Sequence, residues 1–198
     1  VESYREKYGE APPESDRDPR WCQHVADYVT ELFRRMREHL DAYEKRTGKH
    51  VELLVGVAGI APVGEYAKTS PMLYRAADWR AWVDMGVIDT LVMHSIDWDT
   101  RRPLESFRER GREIMDYVDG RCKVQWPLSR YSFRKKGFPH VAKLLKIRWE
   151  EAAERMMMIA WEEGAAGISM ECVDYNNYDA PTRAAIAKLA RTTCRFRK

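Results

Sequence analysis

Asp78 to Asp99, DWRAWVDMGVIDTLVMHSIDWD, is the stretch whose reading decides the fold. Asp78 is placed to cap a short helix, Trp79, Trp82, Val83 and Met85 give that helix an apolar face, and Gly86 ends it. Val87 to Met93 is apolar apart from Asp89 and Thr90, the pattern of a strand buried on both faces of a parallel sheet. A polar and aromatic cluster follows: His94, Ser95, Asp97, Trp98 and Asp99. Helix, tight turn, buried strand and chemically loaded exit together form the repeating unit of an α/β barrel.

The same unit recurs on both sides. Upstream, Asp18 and Pro19 start a helix in which Trp21, Val25, Val29, Leu32, Phe33, Met36, Leu40 and Tyr43 recur at three and four residues until Gly48. Val51 to Ala58 then reads as a strand, and the stretch to Ser70 as a long loop. Residues 1 to 17 read as an entry loop with one short helical turn at Tyr4 to Tyr8.

Downstream, Pro103 and Leu104 begin a helix closed by Gly120, and Cys122 to Leu128 is the next strand. A basic and aromatic loop, SRYSFRKKGFP, leads into one long predicted helix marked by Val141, Leu144, Leu145, Trp149, Ala152, Ala153, Met156 and Ala160, ending at Gly164. Gly167 to Val173 is the last strand and Pro181 to Arg191 the last helix. One helix followed by four strand and helix pairs predicts parallel strands joined by right-handed crossovers, in a single domain over residues 1 to 198. An open doubly wound sheet could use the same order, but no strand is followed by a glycine-rich phosphate loop. The long aromatic strand exits favour half of an eight-stranded barrel.

Composition narrows the function classes. The 198 residues include 34 basic and 31 acidic side chains, a net charge of +3, and this balance argues against nucleic acid. No run is long and apolar enough to predict a membrane span. The four cysteines, Cys22, Cys122, Cys172 and Cys194, lie far apart, so neither a zinc site nor a disulfide framework is expected. Met156 to Trp161 is too apolar for one helix stripe and predicts deep core or an interface. A start at Val1 rather than Met suggests a processed protein or an excised fragment.

Three stretches together resemble the glycoside-hydrolase-like barrels related to glycoside hydrolase family 10: YREKYGEAPPESDRDPRW with the helix after it, the Asp78 to Asp99 segment, and GAAGISMECVDY. The resemblance implies the C-terminal half of a TIM (β/α)8 barrel, running from its fourth helix to its eighth. The first four strands would then lie outside this sequence. It also implies action on a polysaccharide and an extracellular or periplasmic location. Where that family commonly ends its sixth strand with Gln and Tyr, this chain carries His94 and Ile96.

Strand parity picks out the residues able to do chemistry. If Ile168, Met170 and Cys172 face the helices, Glu171 points inward near the C-terminal mouth, where active sites of this fold lie. The same argument turns His94 inward, with Gly56, Ala58 and Gln125 beside it. Glycoside hydrolysis needs two carboxyl groups flanking the scissile bond. Glu171 is the candidate for one, and Asp97, Asp99 and Asp174 are candidates for the second or for sugar hydroxyl contacts, with Glu171 and Asp97 taken as the catalytic pair. His94, Trp98, Asp99, Trp126, Arg130, Tyr131, Asp174 and Tyr175 are candidate glycan contacts.

Each candidate has a plain structural reading as well. Glu171 could pair with an arginine such as Arg130, Asp97 and Asp99 could cap loops, and the aromatics could anchor them. No metal or cofactor is expected. The expected partners are a carbohydrate and either a missing barrel half or a second copy of the chain, which would cover the open edges of a half-barrel sheet. The alternatives are a non-catalytic glycan-binding or assembly module, and a barrel lyase or isomerase using His94 as base.

Overall fold

The computed structural model describes residues 2–57, 76–94, 96, 99–128, 138–169, 184, 187, 188 and 191. At its centre the Asp78 carboxylate accepts the Ala81 N–H and caps helix α3 (Trp79–Asp84). Gly86 follows in the left-handed region at φ 63°, and the Val87 N–H returns to the Trp82 carbonyl at 3.1 Å. This tight reversal feeds strand β2 (Thr90–Met93), all four residues of which are buried.

Strand β2 pairs in parallel with β1 (Leu54–Val57) on one side and β3 (Lys123–Pro127) on the other, and β3 pairs in parallel with β4 (Gly167–Ser169). The sheet order is β1-β2-β3-β4, a parallel four-stranded sheet of the α/β class. Alternation divides its faces. Val55, Val57, Leu91, Met93, Val124 and Trp126 enter one apolar core with side chains of the covering helices, among them Trp79, Phe107, Ile114, Met156 and Ala160. The opposite face carries a register row formed by Gly56, Val92, Gln125 and Gly167.

The described helices follow their sequence signals closely except at one place; most of the last predicted helix, Pro181 to Arg191, lies outside the described residues, as do Met170 to Val173 of the last predicted strand. Helix α2 (Pro19–Thr47) is capped by Asp18, which accepts the Arg20 and Trp21 N–H groups, and ends at Gly48 with φ 68°. Its Val29, Phe33 and Leu40 pack on the core, and Thr30 accepts the Trp82 indole N–H at 2.9 Å. Helix α1 (Glu2–Tyr8) lies against its start, where the Tyr4, Tyr8, Trp21 and Tyr28 rings surround buried His24. Helix α4 (Pro103–Val118) runs between β2 and β3 in sequence.

The single long helix expected from Val141 to Ala160 is two helices, α5 (Phe138–Leu145) and α6 (Trp149–Glu162). Lys146 turns left-handed at φ 55°, and the Ile147 N–H bonds the Ala142 carbonyl at 3.0 Å, a Schellman-type closure. No glycine or proline marks this break, and the apolar spacing from Leu145 to Trp149 continues across it. The Met156 to Trp161 block divides between roles: Met156, Met157, Ile159 and Ala160 are core, whereas Trp161 is exposed. Glu163, just beyond α6, accepts Arg108 at 2.9 Å and Arg112 at 2.8 Å and so ties α6 to α4.

Asp89 holds the N-terminal end of the sheet together. Its carboxylate accepts the Leu53 N–H at 2.6 Å and Arg37 of α2 at 2.8 Å. Its own N–H bonds the Leu53 carbonyl and its carbonyl accepts the Lys123 N–H. One residue therefore links α2, the approach to β1, β2 and β3. Among the described residues no helix is long and apolar enough to cross a membrane.

Candidate functional site at the strand ends

Ligand sites of parallel α/β sheets form beyond the C-terminal ends of the strands, because loops there can vary without disturbing the core. His94 occupies this position. Its N–H donates to the Val57 carbonyl at 2.8 Å, which continues the β1–β2 ladder one residue past the end of β2. Two residues beyond Val92, its side chain belongs to the face opposite the helices, as parity predicts. The imidazole crosses to the neighbouring strand and lies over Gly56. Its Nδ1 is buried and has no hydrogen-bond partner among the described residues.

Gln125 and Gly167 share the row on that face, with the Gln125 side chain beside Gly167. Ile168 packs toward the helices, so Gly167 and Ser169 face the other way. Of the other expected residues, Ala58, Asp97, Trp98, Arg130, Tyr131, Glu171, Asp174 and Tyr175 lie outside the described residues.

Asp99 anchors the start of α4. Its Oδ1 accepts the Arg101 N–H at 2.9 Å, the Arg101 guanidinium reaches both carboxylate oxygens, and its own N–H donates to Ser106 Oγ at 2.8 Å. The Arg101 hydrogen bonds hold its carboxyl down at about 2, well below the ordinary range. Asp99 is therefore ionised at neutral pH, which does not suit it to the role of general acid.

Trp126 is not available to stack on a sugar. It is fully buried on the helix-covered face, its ring centroid 5.3 Å from that of Phe107 in an edge-on contact and its indole laid against Gly111 of α4. Parity is the physical reason: Gln125 takes the open-face position in β3 and Trp126 the opposite one.

Two features escaped the sequence reading. The Arg37–Asp89 pair was one, and its signal was a charge on the apolar stripe of α2 matched by an acid inside an apolar strand. The His24 aromatic cluster was the other, and nothing in periodicity alone brings Tyr4 and Tyr8 onto it. Among the described residues no group of three or more His, Cys, Asp or Glu side chains could hold a metal ion. Cys22 and Cys122 are free thiols, and burial pushes both above the ordinary range, so neither is poised as a nucleophile.

The chain is thus an α/β protein whose helices cover one face of a parallel sheet and whose other face carries a histidine at the strand ends. No protein-family model, curated protein or solved structure matches it.

Proposed function

We propose that the chain forms half of a glycosidase-like (β/α)8 barrel and acts on a polysaccharide or other glycan at the strand ends around His94. The observation carrying this reading is the placement of His94 just past β2, at the end of a parallel sheet where enzymes of this architecture bind their substrates. In the proposal His94 contacts a sugar hydroxyl. Glu171, two residues beyond the end of β4, and Asp97 supply the carboxyl pair, one giving a proton to the leaving oxygen and the other acting as base or nucleophile. Trp98, Arg130, Tyr131, Asp174 and Tyr175 are the proposed sugar contacts, with Asp99 supporting the loop that carries its neighbours.

Among the described residues the outer edges of β1 and β4 are unpaired. The proposed barrel therefore takes four further strands from another segment or from a second copy. The deciding experiment is turnover of a panel of neutral and anionic polysaccharides by the chain in its assembled form, compared with Glu171→Gln. The expected result is a fall of roughly 10²- to 10⁴-fold in the variant. Unchanged turnover would remove Glu171 from the mechanism, and binding without turnover in either protein would make the site a glycan-binding module.

A further inference from the structure

We propose that Gly56 is the positioning residue for His94: β1 omits a side chain there so that the imidazole of β2's exit can lie across the sheet. Glycine in a strand interior is costly, since it loses more freedom on folding and packs nothing, and therefore calls for a reason. Backbone strain is not that reason. The left-handed glycines of the described chain are Gly9, Gly48, Gly86, Gly120 and Gly164, and Gly56 is not among them.

Space is the reason. A Cβ built on Gly56 overlaps His94 Nε2 and stands 3.3 Å from Cδ2 and from Cε1, and among the described residues it meets no other as closely. All three atoms belong to one ring. Val92 and Gln125, the next two positions of the same register row, keep their side chains, and the row's other glycine, Gly167, stands at its far end beside Gln125. His94 cannot retreat by sliding along the ladder, because its N–H is fixed to the Val57 carbonyl at 2.8 Å. The ring rests over Gly56, and its Nδ1 is buried there without a partner among the described residues.

That His94 meets a glycan rests on the proposed function, whereas the seat itself rests on geometry alone. Any side chain at position 56 must turn the imidazole away from β1. Because the clashing atom is the far end of a side chain with two rotatable bonds, the main response is a moved ring rather than a broken sheet.

The test is the His94 Cε1–H resonance in the NMR spectrum of the full chain, assigned by its loss in His94→Ala. In Gly56→Ala the resonance is expected to move, and a position coincident with the unaltered protein would overturn the proposal. If Gly56→Ala does not fold, the double variant Gly56→Ala/His94→Ala decides. Recovery of the fold on removing the imidazole supports the seat, and continued unfolding overturns it. No glycan enters either readout, so absence of glycan turnover would count against the proposed function and leave the seat standing.

Discussion

Trp126 rests on Gly111 of α4 and His94 rests on Gly56 of β1, so each side of the sheet lays an aromatic ring on a glycine of a neighbouring element. The two pairs differ in what surrounds them. Trp126 is wholly enclosed by core, with Phe107 at its edge, and a Cβ on Gly111 would overlap Cη2 at the outer end of its six-membered ring. His94 is only half-buried, and a Cβ on Gly56 would overlap the tip of its ring. Both rings hide a nitrogen with no partner among the described residues, Nε1 of Trp126 and Nδ1 of His94. In the core that is a modest cost set against a large apolar gain. At a strand end it is a group with unused hydrogen-bonding capacity.

The largest expected effect lies on the core side. Trp126→Ala is expected to cost about 3–5 kcal/mol in urea unfolding, the range for emptying a buried aromatic site. Gly111→Ala is a finer test, because alanine is the better helix former by about 1 kcal/mol. Overpacking against an indole that cannot turn costs about 1–3 kcal/mol, which should offset that gain and leave the variant less stable by up to about 2 kcal/mol. An increase in its urea midpoint would show that the α4–β3 contact has slack. Gly56→Ala should fall below the ~1 kcal/mol lower end of core overpacking, since the imidazole can swing aside. Equal losses at the two glycines would erase the distinction between the faces.

The next effect lies at the opposite end of the sheet from His94. Asp89→Ala removes a carboxylate bonded to Arg37 and to the Leu53 N–H, and should cost about 2 kcal/mol as a lost charge-assisted pair of bonds. Its signature is local: the Leu53 amide, which loses its acceptor, should exchange faster with solvent before the amides of β2 do. Unchanged exchange at Leu53 would show that the carboxylate is dispensable to the β1 approach.

These residues also show how much the sequence could tell. The apolar run from Val87 to Met93 announced a strand buried on both faces, and Asp18, Pro19 and Gly48 bounded α2, because caps and period are local physics. Alternation was enough to turn His94 and Gln125 to one face. The same alternation turns Trp126 to the helix-covered side, against the sugar contact that its aromatic character and its place before a loop suggest. The break at Lys146 was silent because a lysine in the left-handed region carries no composition signal. Nor could periodicity show that Gly56 and His94 meet, since that contact exists only once β1 and β2 are in register.

The smallest expected effect concerns acid, and it separates the strand-end side from the core. Asp99 titrates at about 2 because Arg101 bonds its ionised form. A depressed folded-state value means that this contribution is complete above the ordinary carboxylate range and is lost as pH falls from about 4 through about 2. The pair is partly exposed, with Arg101 87% and Asp99 31% accessible, so solvent screening keeps the global loss small. The first turn of α4 should loosen while the Trp126 core remains intact. Carboxyl NMR should place the Asp99 midpoint near 2 and Arg101→Ala should return it to the ordinary range. A normal midpoint in the unaltered chain would mean that the clasp does not persist in solution. Asp99 would then be a free carboxylate at the start of α4, available as a reacting acid rather than held as a loop anchor.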